Sequence, residues 1–243
     1  MTGDIALDQA LDYYDSVVHT DISRVDEVKR DSGRVMRLMK SYARYQGCPA
    51  PIMSIRKDML LNDVDTLDVD TVSSYLHALK TIFVIEDMPS WNPNLRSRTA
   101  IRTSDTRYFS DPSIATAALG AAPADLINDL AVFGLLFETL CVRDLRVYAE
   151  ALQGAVYHYR DSNGLECDAV VRLRNGSYGL IEIKLGGAHN IEAGANTLKK
   201  LARIIDTSRM KAPSFMMVLT AVGKFAYRRD DGVCVVPNGA LRD

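Results

Sequence analysis

The chain has 243 residues, enough for one large or two modest domains, and is 47% apolar and 25% charged, a balance that excludes general disorder and allows a sizeable core. Lysine and arginine number 29 against 31 aspartates and glutamates, a net charge of −2, so no bulk positive field marks a polyanion binder. The charge is uneven: residues 1–95 carry 10 basic and 15 acidic side chains and residues 96–243 carry 19 and 16, so if either part meets nucleic acid the second is favoured.

Leu7, Leu11, Tyr14 and Val18 fall on one face of a predicted helix over residues 4–20. From Asp21 to about Met88 the pattern is mostly helical. Val25, Val28, Val35, Leu38, Met39 and Ala43 recur at mostly helical intervals, Gly47-Cys48-Pro49 ends that helix, and a short helix follows over Ile52–Leu60. Asp70 is the expected cap of a helix whose stripe is Val72, Tyr75, Leu76, Leu79 and Ile82, and Phe83-Val84-Ile85 reads as a strand. Three helices and a strand suggest a winged-helix arrangement.

Pro89-Ser90-Trp91-Asn92-Pro93-Asn94 reads as a linker. Beyond it come a short strand at Tyr108-Phe109, a cap at Asp111 with Pro112 at the first helical position, and a long helix from Pro123 to Gly154. Strands are predicted over Ala155–Arg160, Leu165–Leu173 and Tyr178–Leu185, with turns at Asn163-Gly164 and Asn175-Gly176. An amphipathic helix over Ile191–Ile205, a buried strand over Ser214–Val222 and a hairpin around Asp231-Gly232 complete the chain. This order puts helices on a mixed sheet.

Cys48, Cys141, Cys167 and Cys234 fit no zinc spacing and read as free thiols of a reducing cytosol. The start is broken by Asp4, Asp8 and Gln9, unlike a signal peptide, and no run reaches the roughly eighteen apolar residues of a spanning helix. The expectation is a cytoplasmic protein with no membrane contact.

Glu138 has only apolar or small neighbours at helical spacing, so its carboxylate needs a cation, a metal, a proton or a route to water. Strand alternation puts Glu166, Asp168 and Val170 on one face of their strand, and Glu182 and Lys184 on one face of the next. Taken alone, Glu-x-Lys is what any hairpin with one wet face carries. Together, two carboxylates and a lysine on adjacent strands, with a third carboxylate on a helix, make a cation site suited to Mg2+ with a general-base candidate. The condition is an odd loop: three or five residues, for instance Asn175-Gly176-Ser177 with a bulge, would set Asp168 opposite Lys184 and Val170 opposite Glu182.

Glu on a helix, then Asp168, then Glu182-Ile183-Lys184 across a hairpin resembles the PD-(D/E)xK restriction-endonuclease-like superfamily, with Cys167 in place of its proline. Gly134-Leu135-Leu136-Phe137-Glu138, Tyr157-His158-Tyr159-Arg160, Glu166-Cys167-Asp168-Ala169-Val170, Ile181-Glu182-Ile183-Lys184 and Asp231-Gly232-Val233-Cys234-Val235-Val236-Pro237 are similar to domain of unknown function 4143, found C-terminal in AAA-type ATPases of bacteria and archaea. Tyr108-Phe109-Ser110-Asp111-Pro112 matches that domain's opening motif, with Thr106-Arg107 where a lysine is usual. In the family a winged helix precedes the domain and an ATPase precedes the winged helix; Asp12-Tyr13-Tyr14-Asp15-Ser16-Val17-Val18 resembles the junction leaving the ATPase. No G-x-x-x-x-G-K-[ST] occurs, so the chain has no ATP site of that type and reads as the C-terminal piece of a longer ATPase or a shortened relative.

The expected fold is therefore α/β (α+β). Residues 1–20 are a helical remnant leading from an absent ATPase domain, 21–88 a winged-helix-like domain, 89–98 a linker and 99–243 a nuclease-like mixed-sheet domain. Asp168 and Glu182 would hold Mg2+, Lys184 would activate water and Glu138 would complete the acidic shell of a phosphodiester hydrolase or nucleic-acid-binding module. The alternative is an inactive nuclease fold that serves an ATPase as an interaction or regulatory domain. Arg96, Arg98, Arg102 and Arg107 are the candidate phosphate-contacting strip. Nucleic acid and an ATPase domain or other protein are the expected partners. Trp91 reads as a packing residue between domains or a base-stacking one.

Overall fold

The computed structural model of the protein describes residues 3–60, 67–93 and 105–241. It is a mixed α/β structure, with a helical N-terminal part and a six-stranded mixed sheet toward the C-terminus. The chain forms two compact units, Met1–Asp87 with Ser104–Thr139, and Met88–Thr103 with Leu140–Asp243. The first unit is discontinuous in sequence, and residues 88–93 belong to the second.

In the first unit, α1 (Gly3–Ser16) runs through a π-helical turn (Val17–Asp21) into α2 (Ile22–Arg24). The expected helical continuity breaks there because Asp31 starts α3 (Ser32–Arg44), its carboxylate accepting the Arg34 N–H at 2.7 Å. Of the predicted stripe, Val35, Leu38, Met39 and Ala43 are buried on α3, joined by Tyr42, which the pattern did not single out, while Val28 precedes the helix and is exposed. After α4 (Ile52–Met59), the cap of α5 (Val69–Thr81) is Asp68 rather than Asp70: Asp68 is extended and accepts from the Val69 N–H at 2.6 Å, while Asp70 already lies in the first turn. The strand expected at 83–85 shrinks to one bridge between Ile85 and Phe109, because Phe83 sits in a turn with φ 58°. Asp111 caps α6 (Pro112–Leu119) as predicted, accepting from Ser113 N–H at 2.8 Å. The long helix predicted from Pro123 is interrupted. Asp129 leaves helical geometry, accepts from Val132 N–H at 3.1 Å, and so separates α7 (Pro123–Asn128) from α8 (Leu130–Ala151).

A polar knot lies inside this helical unit. Asp87, with its side chain 3% exposed, takes the Arg107 guanidinium, the Tyr42 hydroxyl and, at 2.7 Å, the Lys80 ammonium. Arg107 also donates through Nε to the Ala50 carbonyl at 3.0 Å. A buried carboxylate survives only when so satisfied. Gly47 adopts φ +70°, and a Cβ there would stand 3.1 Å from the Leu135 side chain and 3.2 Å from Glu138 Oε1, so the position calls for glycine twice over.

In the second unit the strands are β1 (Gly154–Arg160), β2 (Glu166–Leu173), β3 (Tyr178–Lys184), β4 (Phe215–Thr220), β5 (Tyr227–Arg228) and β6 (Cys234–Pro237), ordered β1-β2-β3-β4-β6-β5. β1-β2-β3 is antiparallel, and β3-β4-β6 is parallel. The crossover from β3 to β4 is α9 (Ala188–Ile204), whose Ala195, Leu198 and Leu201 pack against Val170, Leu180 and Val218 of the sheet. Trp91 is buried in this core beside Tyr178 (ring centroids 5.0 Å) and Tyr159 (6.1 Å), and its N–H donates to the His158 carbonyl at 2.6 Å. It packs within one unit, not between two, and is shielded from base stacking. Among the described residues no helix is long and apolar enough to cross a membrane.

Asp87→Ala would leave the Arg107 guanidinium without its counter-ion and is expected to cost about 3–5 kcal/mol, the usual penalty for breaking a buried pair. Lys80→Met, which removes a side chain 42% exposed, is expected to cost under about 1 kcal/mol. Urea midpoints at constant slope check both.

Candidate functional site

The β2–β3 hairpin brings the candidate residues together. The loop is odd, as the site required, but it is Arg174-Asn175-Gly176: the Leu173 N–H donates to the Ser177 carbonyl at 2.8 Å, and Gly176 supplies φ +83°. The ladder therefore pairs Val170 with Leu180 and Ala169 with Ile181, two residues away from the expected register in which Val170 faces Glu182. A shift of two keeps every side chain on its face, so Asp168, Glu182 and Lys184 still share one side.

Their geometry is close. Lys184 Nζ lies 2.8 Å from Glu182 Oε2 and 3.2 Å from Asp168 Oδ2. Asp168 Oδ2 also accepts the Ile183 N–H at 2.7 Å. Side-chain exposure falls from 29% at Lys184 through 21% at Asp168 to 5% at Glu182. The burial of Glu182 comes from α9: a Cβ added at Gly194 would lie 3.3 Å from Glu182 Cβ and from Val218, so this helical glycine lets the helix approach closely. A glycine inside an amphipathic pattern was the signal for that approach, and sequence reasoning passed over it.

Burial is the largest influence on the Glu182 carboxyl and raises its pKa; Asp168 adds to the rise, Lys184 opposes it, and the result is about 8. For Lys184 burial would lower proton affinity, but the negative charges of Asp168 and Glu182 outweigh it and carry the pKa above the ordinary lysine value. Burial likewise pushes the Cys167 thiol well up, leaving it an inert part of the core.

Glu138 is in the first unit, where its carboxylate accepts a hydrogen bond from the Tyr108 hydroxyl. Arg107 is 9% exposed and engaged with Asp87 and the Ala50 carbonyl, so its guanidinium is spent on the first unit's interior and is not part of an exposed strip. Arg96, Arg98 and Arg102 lie outside the described residues. On α9, Lys199 is paired with Asp231 at 2.7 Å. Among the described residues, no group of three or more His, Cys, Asp or Glu side chains is placed to hold a metal. The donor set at the hairpin is a pair of carboxylates, which fits Mg2+, an ion that keeps several waters and takes one or two carboxylates; it does not fit an all-protein cage.

Residues 2–125 match the family described as Domain of unknown function (DUF8612), and residues 133–241 match that described as Domain of unknown function (DUF4143). The second match covers β1 to β6 and with them Asp168, Glu182 and Lys184. No curated protein matches the chain.

The Glu182 shift has a consequence for stability. The folded protein binds this proton more tightly than the unfolded chain, so the contribution is full below pH 4.5 and is lost as pH rises through about 8. Relative to Glu182→Gln, which mimics the protonated acid, the wild type is expected to lose stability steadily across that window, read as the difference between their urea midpoints.

Proposed function

The chain belongs to the DUF8612 family, and from the charge geometry of its second unit we propose that it is a Mg2+-dependent phosphodiester hydrolase whose site is Asp168, Glu182 and Lys184. On this reading the second unit is a nuclease-like domain of the PD-(D/E)xK type and the first is winged-helix-like. The natural setting would be an AAA-type ATPase in the cytoplasm, and the polymer acted on a nucleic acid.

One observation carries the reading: two carboxylates on adjacent strands converge on a single ammonium, one of them almost fully buried. Burial first, and then the second negative charge of Asp168 that Lys184 only partly offsets, raise the proton affinity of Glu182. A divalent cation in place of that proton would remove it. Asp168 and Glu182 would hold Mg2+, which when bound supplies Lewis-acid polarisation of a phosphoryl oxygen and a more acidic water. The Ile183 N–H fixes Asp168 against the strand end, so its carboxylate is preorganised. Lys184 is protonated at neutral pH. Its role is to orient water by donation and to offset charge on the phosphoryl oxygens, rather than to take a proton. The reading asks nothing of Glu138.

The same contacts favour a second reading. A lysine satisfied by two carboxylates is also what an inactive module would keep as a structural cluster, serving an ATPase as an interaction or regulatory domain.

The two readings part in a plasmid and oligonucleotide cleavage assay with Mg2+ or Mn2+. Hydrolysis is expected to fall at least about 100-fold in Asp168→Ala and in Lys184→Ala, in the range for loss of a preorganised charge, with circular dichroism unchanged. Lys184→Arg, which keeps the charge, should retain part of it. Cleavage surviving in both alanine variants would overturn the hydrolase reading, and no cleavage by the wild type would favour the module. Independently of turnover, Mn2+ titrated calorimetrically is expected to bind more tightly at pH 8.5 than at pH 6, because binding must displace the Glu182 proton. Binding equal at both pH values would count against Glu182 as a ligand.

A further inference from the structure

The sheet of the second unit has two faces, and the candidate site uses one. Glu182 and Leu180 of β3 face α9. Gly179 and Ile181, between and beside them, face the other way and line a cavity of about 400 Å³. Its remaining walls include Leu145 and Ala149 of α8, Leu152 just after that helix, and Phe215 and Met217 of β4. This volume lies within the range of small-molecule sites.

We propose that this cavity binds a neutral small molecule with an apolar body and one hydrogen-bonding end. No charged side chain is among the described residues that line it, so an ionised group would meet no opposite charge there. The lining residues that carry hydroxyls are Ser177, Ser214, Tyr148 and Tyr178; Tyr148 already donates to the Leu241 carbonyl at 3.4 Å and Tyr178 to the Lys211 carbonyl at 2.8 Å. Ser214 is exposed, which puts a polar contact at the edge. Ile181 and Ala149 are buried and form the floor, whereas Leu152 and Phe215, 65% and 40% exposed, mark the mouth. Large apolar groups held in water around an apolar hollow are covered when it is filled. Gly179 helps to build the mouth: a Cβ there would come within 2.1 Å of the Phe215 ring, so only glycine lets the ring lie over β3. The occupant is a small molecule and not a peptide, because a helix and the sheet of one unit wall the space on opposite sides.

The test uses the full chain and the neutral fluorophore N-phenyl-1-naphthylamine. Fluorescence should rise and saturate at one probe per chain, and 1-decanol should displace the probe where decanoate does not. Ala149→Leu, which extends a floor side chain into the cavity, should weaken binding at least tenfold. Leu152→Ser, at an exposed position that leaves folding intact, should weaken it several-fold and decides the matter if the first variant fails to fold. The proposal is overturned by an absence of saturable binding, by equal binding in wild type and Leu152→Ser, by displacement with decanoate as effective as with 1-decanol, or by light scattering that shows the probe bound only to a self-associated form.

Discussion

Much of what this chain can do turns on one electrostatic constraint: Glu182 is buried beside a second carboxylate, with one ammonium between them. Taking a carboxylate out of water is costly unless a proton, a cation or hydrogen bonds compensate it. Here Lys184 supplies one positive charge, the Ile183 N–H braces Asp168, and the rest of the demand falls on a proton. The arrangement follows from the backbone. Period-two alternation puts Glu182 and Lys184 on one face, the odd hairpin puts Asp168 on that same face, and Gly194 lets α9 come close enough to exclude water from Glu182.

The position of this cluster in the sheet is consistent with binding. β3 is where the sheet changes from antiparallel to parallel pairing, and the cluster lies at the carboxyl end of β3, just before the turn into α9. Parallel strands leave their carboxyl ends open to helix–strand connections, which is why ligands of open α/β sheets collect there. Because β3 alternates, the same strand gives Gly179 and Ile181 to the apolar cavity on its other face. A strand buried on both sides in this way carries a continuous run of buried residues from Tyr178 to Ile183.

The elements that could be read from the chain were those with a local cause. Asn175-Gly176 announced a hairpin, alternation announced the shared face of Glu182 and Lys184, and Asp111-Pro112 announced α6. What escaped was set by tertiary contact or by a choice between near-equal local options. The turn could close on either of two three-residue loops, and the one using Arg174 moved the register by two. Asp68 and Asp70 are both capable caps, and only the extended backbone at Asp68 decided between them. Asp129 reads as one more polar residue in a helical pattern until its side chain turns back to cap α8. Arg107 and Trp91 looked available in sequence because nothing local shows that Asp87 takes the one and Tyr178 and Tyr159 enclose the other.

The charge count also bears on whether the cluster is structural. A cluster kept only for packing would do best neutral, since a buried ion pair scarcely repays its own desolvation and an extra buried acid makes the account worse. Here the acid in excess is the most enclosed of the three groups, and its raised proton affinity means that the folded state is less stable with it ionised. An apolar residue at position 182 would satisfy α9 and the sheet without that cost. The cost is understandable if ionised Glu182 has a partner that arrives from solvent, and the graded exposure from Lys184 through Asp168 to Glu182 leaves the approach open on one side. Acids perturbed in this way occur at ligand sites and in structural ion-pair networks alike, and what distinguishes this cluster is that its most enclosed member is the acid in excess.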